Sequence, residues 1–246
     1  SPLWPIRLVP GMCGRFALKT IPKSLAEVFG LEPPKMEPRP DIRPSEAVPV
    51  LLREEVTGRP VFRILTWGLV LPMTGIARKP VRLINARSET LHEKPAFREA
   101  FRRRRRLVPA SGFYEWRRDG RKRIPFFFTP SDPAVPLVLA GIWEESSEDR
   151  SGAFAIITTG ANMEVLPVHD RMPVILPPAA WQDWLAPEAR KREDVTRRLG
   201  PAGDGFLKVD ALLQTDEEKE ARRRSLFPAD WGRDNMKDES DQNIPH

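Results

Sequence analysis

Apolar positions along the chain change periodicity several times. Leu25, Val28 and Phe29 share one side of a repeat of about 3.6 residues, opened by Thr20 and Pro22 and stopped by Gly30, and predict a first helix. Residues Glu32 to Pro49 hold six prolines and read as an irregular, extended connection. Val48 to Arg53 and Val61 to Val70 are predicted strands around a Thr57-Gly58 turn. A second helix is predicted from Pro95 to about Arg103, with Phe97 and Phe101 four residues apart on its inner side. Beyond it the pattern becomes β-rich. Leu107 to Arg118 and Lys122 to Thr129 flank Asp119-Gly120, a hairpin signal. Leu137 to Glu144 and Ala153 to Thr159 flank a polar loop, SSEDRSG, and read as another strand pair. A short strand at Met172 to Leu176 precedes a helix at about Ala179 to Leu185, with Trp181, Trp184 and Leu185 facing inward, and a charged helix over Glu188 to Leu199. No internal repeat or domain linker stands out. Short strands with varied connections imply an α+β single domain around a curved, mostly antiparallel sheet.

The chain ends differ from this core. Thr215 to His246 is charged and short of β-branched residues, and is expected to be disordered or loosely docked. Residues 1–11 lack the pattern of a secretory signal and are expected to be an extension in front of the domain. No run approaches the roughly 18 apolar residues of a membrane helix. A single cysteine excludes an internal disulfide framework, and a reducing cytoplasmic setting is the expectation (nucleoid-associated in a bacterium). The net charge of +6 is modest but unevenly spread: Arg102 to Arg106 form an unbroken run, and Arg117, Arg118, Arg121, Lys122 and Arg123 follow. Clustered arginine suits a phosphate backbone; it equally suits a solvated helix end, and charge alone leaves both open.

Four segments carry groups suited to chemistry. Cys13 follows Met12 and precedes Gly14-Arg15, an electropositive setting expected to lower a thiol pKa. If the chain starts at Met12, removal of that residue exposes the thiol and the α-amine of Cys13 together. Such a 1,2-aminothiol attacks an aldehyde through its amine and then closes through sulfur into a five-membered thiazolidine. Asn85-Ala86-Arg87-Ser88-Glu89 follows a short apolar strand, so its polar groups emerge together. Asn offers a donor and an acceptor, Arg forks onto phosphate, and Ser88 also suits a helix cap. Glu115 sits among Phe113, Tyr114 and Trp116, where apolar rings would raise its pKa toward acid–base work; a solvent-facing charge is the alternative. His169 is the only histidine between ordered elements, a candidate proton carrier or a structural residue. There is no zinc spacing, no phosphate-binding P-loop and no nucleophile elbow at Ser111.

In order along the chain, MCGRFA, WGLV, NARSET, LVPASGFYEW after the arginine run, AIITTGAN and VHDRMPVIL resemble the SRAP family, the SOS response-associated peptidases or abasic-site processing proteins. The resemblance runs from Met12 to about Trp184. It implies a single SRAP-like domain over 12–214, a curved sheet or barrel flanked by helices. It also implies a thiazolidine crosslink between Cys13 and an abasic deoxyribose, with linked lyase chemistry. Glu115 would assist ring opening and imine formation, His169 proton transfer and reversal, and Asn85 would lie at the crosslink. Arg15, Arg87, Ser88, Arg171 and Arg102 to Arg104 would contact DNA, with Trp67 and the GFYEW aromatics lining the pocket. The implied partner is abasic single-stranded DNA, bound by a monomer with no cofactor, metal or membrane. A thiol autopeptidase using Cys13, Glu115 and His169, with residues 1–11 as a propeptide, is one alternative, and a non-catalytic DNA-binding module is another. The sequence departs from the family pattern at four places: the residues before Met12, a missing second Trp after WGLV, Arg106 in place of the usual Cys, and no recognisable closing motif after Trp184.

Overall fold

The computed structural model describes residues 7–8, 13–71, 81–145, 152–186 and 195–212, with Arg7, Leu8, Leu71 and Val81 in backbone only. The helix at Pro95 to Arg103 (α2) forms as expected. Its Phe97, Ala100 and Phe101 are buried, and Pro95 occupies the first turn, where a missing N–H costs nothing. The first helix (α1) is confined to Lys23–Val28. Pro22 is its N-cap rather than Thr20, and Val28 is exposed, so only Leu25 and Ala26 are fully buried. A third short helix, α3, covers Trp181–Leu185 and buries Trp181, Trp184 and Leu185.

Strands account for most of the rest. The central path runs through Leu137–Glu144 (β12), Arg105–Ala110 (β9), Ala47–Arg53 (β4), Pro60–Trp67 (β5), Ala153–Gly160 (β13) and Arg171–Pro173 (β14). Because β12 also pairs with β13, that path curves back on itself. Within it β4, β9, β12 and β13 are buried on both faces, which explains continuous apolar runs such as LVLAGIW instead of alternation. One face holds an inner core around Trp67, Leu65, Val108, Leu139 and Phe154; the other is covered by α2 and α3, with Phe101 and Trp184 rings 6.2 Å apart. Each large side chain fully withdrawn from water there contributes on the order of 1.5–3 kcal/mol.

A second sheet of five strands lies along Leu207–Ala211 (β15), Lys122–Pro130 (β11), Gly112–Asp119 (β10), Arg15–Leu18 (β2) and Arg39–Ile42 (β3). The Asp119-Gly120 hairpin is present, with Asp119 opposite Lys122 and Gly120 at φ +58°. The strand expected over Leu107 to Arg118 is instead two, β9 and β10, and the chain passes from one sheet to the other at Ser111. A Cβ at Gly112 would lie 2.4 Å from the Phe127 ring, so the crossing needs glycine. The proline-rich segment expected to be irregular carries β3, an edge strand where Pro40 is tolerated.

A third, small sheet pairs Arg7–Leu8 (β1), Val81–Leu83 (β7) and Leu69–Leu71 (β6). Asn85–Arg87 (β8) runs parallel to β13. The whole is a mixed α+β single domain of mainly antiparallel sheets flanked by helices. The SSEDRSG loop up to Ser151, most of the Glu188 to Leu199 segment and the tail from 215 lie outside the described residues.

Candidate active site and nucleic-acid interface

Three chain segments meet beside the inner core. Cys13, just before β2, is 1% exposed, and its carbonyl accepts a hydrogen bond from Asn85 Nδ2 at 3.1 Å. Asn85 is set in place by the parallel pairing of β8 with β13 and by Trp67, whose Nε1 donates to the Ile84 carbonyl at 2.9 Å. Trp67 is fully buried between Phe16 and Phe154. It therefore props the site from behind, and the expected wall of a DNA pocket is not where its ring lies.

Glu115 comes from β10. The register pairs Phe113 with Phe16 and with Phe128, and Glu115 with Phe126, so alternation puts Phe113, Phe16 and Glu115 on the core-facing side. Tyr114, Trp116 and Arg15 occupy the opposite side. Glu115 is 3% exposed, and its Oε1 has no hydrogen-bond partner; neither does the buried Oδ1 of Asn85. Two orphaned acceptors in one small region are costly unless something donates to them, which marks them as a receiving site.

Burial dominates the electrostatics. It pushes the Glu115 carboxyl up to about 8, against an attraction from Arg123, with repulsion from Asp170 adding to the rise and the Trp116 amide opposing it. The Cys13 thiol is also pushed well above its ordinary value, by burial first and by Glu115 second. This corrects the expectation of a thiol activated by Arg15. That guanidinium is turned away: it forks onto Asp41 at 2.6 Å and lies over the Tyr114 and Trp116 rings. Burial pushes the Asp41 carboxyl up, but hydrogen bonds from Arg15 and Arg43 overcome this and hold it below its usual value.

His169 enters from the loop between β13 and β14. Its Nδ1 accepts the Arg171 amide at 3.0 Å, which leaves Nε2 to carry the proton of the neutral ring. The same Nδ1 lies 3.2 Å from an Asp170 oxygen. Asp170 therefore touches His169 and, through space, raises Glu115. It went unnoticed in the sequence, although it directly follows His169.

The expected DNA-contacting arginines separate into two kinds. Arg87 is exposed, with no ion-pair partner among the described residues, and Ser88 beside it is buried at the start of a short 3-10 turn. Arg171 forks onto Glu89 at 2.6 and 3.0 Å and donates to the Thr158 carbonyl, tying that turn to β13. The Arg102 to Arg106 run does not form one basic surface. Arg102 and Arg103 are exposed at the end of α2, and Arg103 pairs with Glu99. Arg104 is held by Glu55 and Glu144. Arg105 turns inward onto the carbonyls of Trp184, Phe101, Arg102 and Ala186, while Arg106 is fully buried over Trp143. The strand β9 that carries the last two has both faces covered, so its side chains point into the protein whatever their charge. Among the described residues no helix is long and apolar enough to cross a membrane.

An α+β domain holding a buried Cys–Glu–Asn cluster beside a histidine loop defines a class. Comparison with known proteins gives it a family: the chain matches the SOS response associated peptidase (SRAP) family over residues 12–213. It is 34% identical over 185 residues to abasic site processing protein YoaM of Bacillus subtilis, covering 72% of this chain and 80% of that protein. To abasic site processing protein YedK of Escherichia coli it is 32% identical over 194 residues, covering 74% and 83%. A crystal structure of a phage-related protein from Bordetella bronchiseptica superposes with a TM-score of 0.65 at 28% identity, covering 82% of this chain and 95% of that one. This chain belongs to the SRAP family, the abasic-site processing proteins implicated in the DNA damage response.

Proposed function

We propose that this protein binds single-stranded DNA containing an abasic site and captures its ring-opened aldehyde as a thiazolidine on Cys13, with Cys13 as the first residue of the active chain. The observation that carries this reading is the buried cluster of Cys13, Asn85 and Glu115, with unpartnered acceptors on the last two. The Cys13 amine adds to the aldehyde carbon. The resulting carbinolamine loses water with a proton from Glu115, a carboxyl that keeps its proton near neutral pH. The thiol then adds to the imine carbon and its proton returns to Glu115. Two bonds form, one C–N and one C–S, one water leaves, and no electrons are gained or lost. Before sulfur closes the ring, the same imine permits lyase-type loss of the sugar's 3′ phosphate. His169, with a proton on Nε2, serves reversal by protonating the leaving atom.

The raised thiol pKa supports this order of events, since sulfur acts second on an imine already activated by charge. It weighs against an autopeptidase reading, which requires a ready thiolate. Recognition of a site without a base needs phosphate contacts and a small pocket, and Arg87 is an exposed cation two residues from Asn85. The test is an abasic oligonucleotide mixed with protein that starts at Cys13 and run on a denaturing gel. A heat-stable shifted band, absent with Cys13→Ala, is the expected result. A band that forms equally with Cys13→Ala would overturn the proposal.

A further inference from the structure

The connection between β13 and β14 closes tightly, with Ala161 N–H donating to the Asp170 carbonyl at 3.0 Å, so residues 162–169 project as one compact loop. That loop is unusually well fastened. Asn162 Oδ1 accepts the Val165 amide and its Nδ2 donates to Glu164 and to the Ala202 carbonyl. Met163 N–H donates to Asp204, and Glu164 accepts the Gly205 amide. Val165 is fully buried as its hydrophobic anchor.

Two side chains contradict this economy. Met163 is 66% exposed and Leu166 is 56% exposed, among the largest apolar exposures in the described structure. Backbone bonds from Leu166 to the Asn162 carbonyl and from His169 to the Val165 carbonyl close two successive turns within the loop. Met163 and Leu166 both belong to the first turn and His169 closes the second, so the two apolar side chains sit on the short loop that carries His169, with Val165 turned into the core. A rigid loop thus presents two apolar side chains to water beside the histidine of the reaction site.

We infer that Met163 and Leu166 form an apolar wedge that packs against the face of a nucleobase next to the abasic sugar, holding the strand splayed at the gap. This rests on the proposed DNA-binding function. Proteins that distort DNA insert such residues between bases, and Met and Leu, neither branched at Cβ, accept any base because each base has an apolar face. At an abasic position the neighbouring base has lost one stacking partner, so the wedge replaces a contact already missing. A loop fixed by so many hydrogen bonds gives up little conformational entropy when it binds.

The experiment uses single strands with thymine on each side of a tetrahydrofuran abasic analogue, which cannot crosslink, so the wedge is tested independently of adduct chemistry. Permanganate attacks the exposed face of thymine. Wild-type protein is expected to protect the thymine on one side, and the Met163→Ser/Leu166→Ser double variant to leave it reactive. With a true abasic strand, the same variant is expected to need about tenfold more DNA for half-saturation, with a smaller effect on the rate at saturation. Val56→Ser, at an exposed apolar residue on the β4–β5 turn, serves as the control. Equal protection by the double variant and the wild type overturns the wedge. Failure of the wild type to form any adduct with the true abasic strand, with protection intact, overturns the crosslinking function and leaves the wedge standing.

Discussion

Replacing Glu115 with Gln keeps the shape of the side chain and removes its ability to ionise. In the folded protein the carboxyl titrates near 8, against an ordinary value of 4.5. Between those two values the folded state holds a proton that the unfolded chain has released. The contribution is therefore complete below about pH 4.5 and is lost as pH rises through about 8. Each unit in that window withdraws about 1.4 kcal/mol. The total is on the order of 4–5 kcal/mol, a large share of the roughly 5–15 kcal/mol that holds a domain folded. Urea unfolding at several pH values from 5 to 8.5, for wild type and Glu115→Gln, isolates this term in the difference between the two curves. The wild type is expected to weaken relative to the variant as pH rises. Parallel curves would mean that the carboxylate is solvated or partnered in the folded protein, and the acid–base role assigned to it would fall with its burial.

The same substitution is expected to slow adduct formation by about 10²–10⁴-fold, whereas His169→Ala lengthens the adduct's lifetime after chase with unlabelled DNA; equal effects on both phases would refute the division of labour. Arg106→Met removes a fully buried guanidinium whose three nitrogens lack partners, and is expected to leave stability unchanged or raise it by about 1–3 kcal/mol, while Arg105→Met strands several carbonyls and lowers the urea midpoint. Arg87→Ala is expected to weaken single-strand binding and to flatten its salt dependence by roughly 0.7 of a slope unit, whereas Arg104→Ala costs stability with little change in affinity, its guanidinium being committed to Glu55 and Glu144.

Much of this architecture is legible in the chain because local rules and tertiary packing agree. Phe97 and Phe101 face inward from α2, Asp119-Gly120 turns a hairpin, and LVLAGIW lies buried on both faces. Where they disagree, tertiary context wins. The continuous run through LVPASGFYEW hides a change of sheet at Ser111, since a crossing strand and a single long strand share the same residue preferences. Pro40 argues against a strand until its place on a sheet edge is known. Within the site, Cys13, Asn85 and Glu115 come together as their motifs suggest. The misreadings concern direction: Arg15 and Trp67 stand beside the right residues in sequence, but strand alternation and core packing turn one to the far face and the other inward. Likewise, five consecutive arginines read as a charged surface only if a solvent-exposed helix carries them all, and here the last two belong to a buried strand.

The most direct test of covalent capture is the intact mass of the product formed with an abasic oligonucleotide by protein beginning at Cys13. The expected mass is that of protein plus DNA less one water, stable to heating and lost when the α-amine is blocked. The same heat-stable product from a chain that retains Met12 would contradict a thiazolidine, because the Cys13 nitrogen would be in a peptide bond and could not close a ring with its thiol.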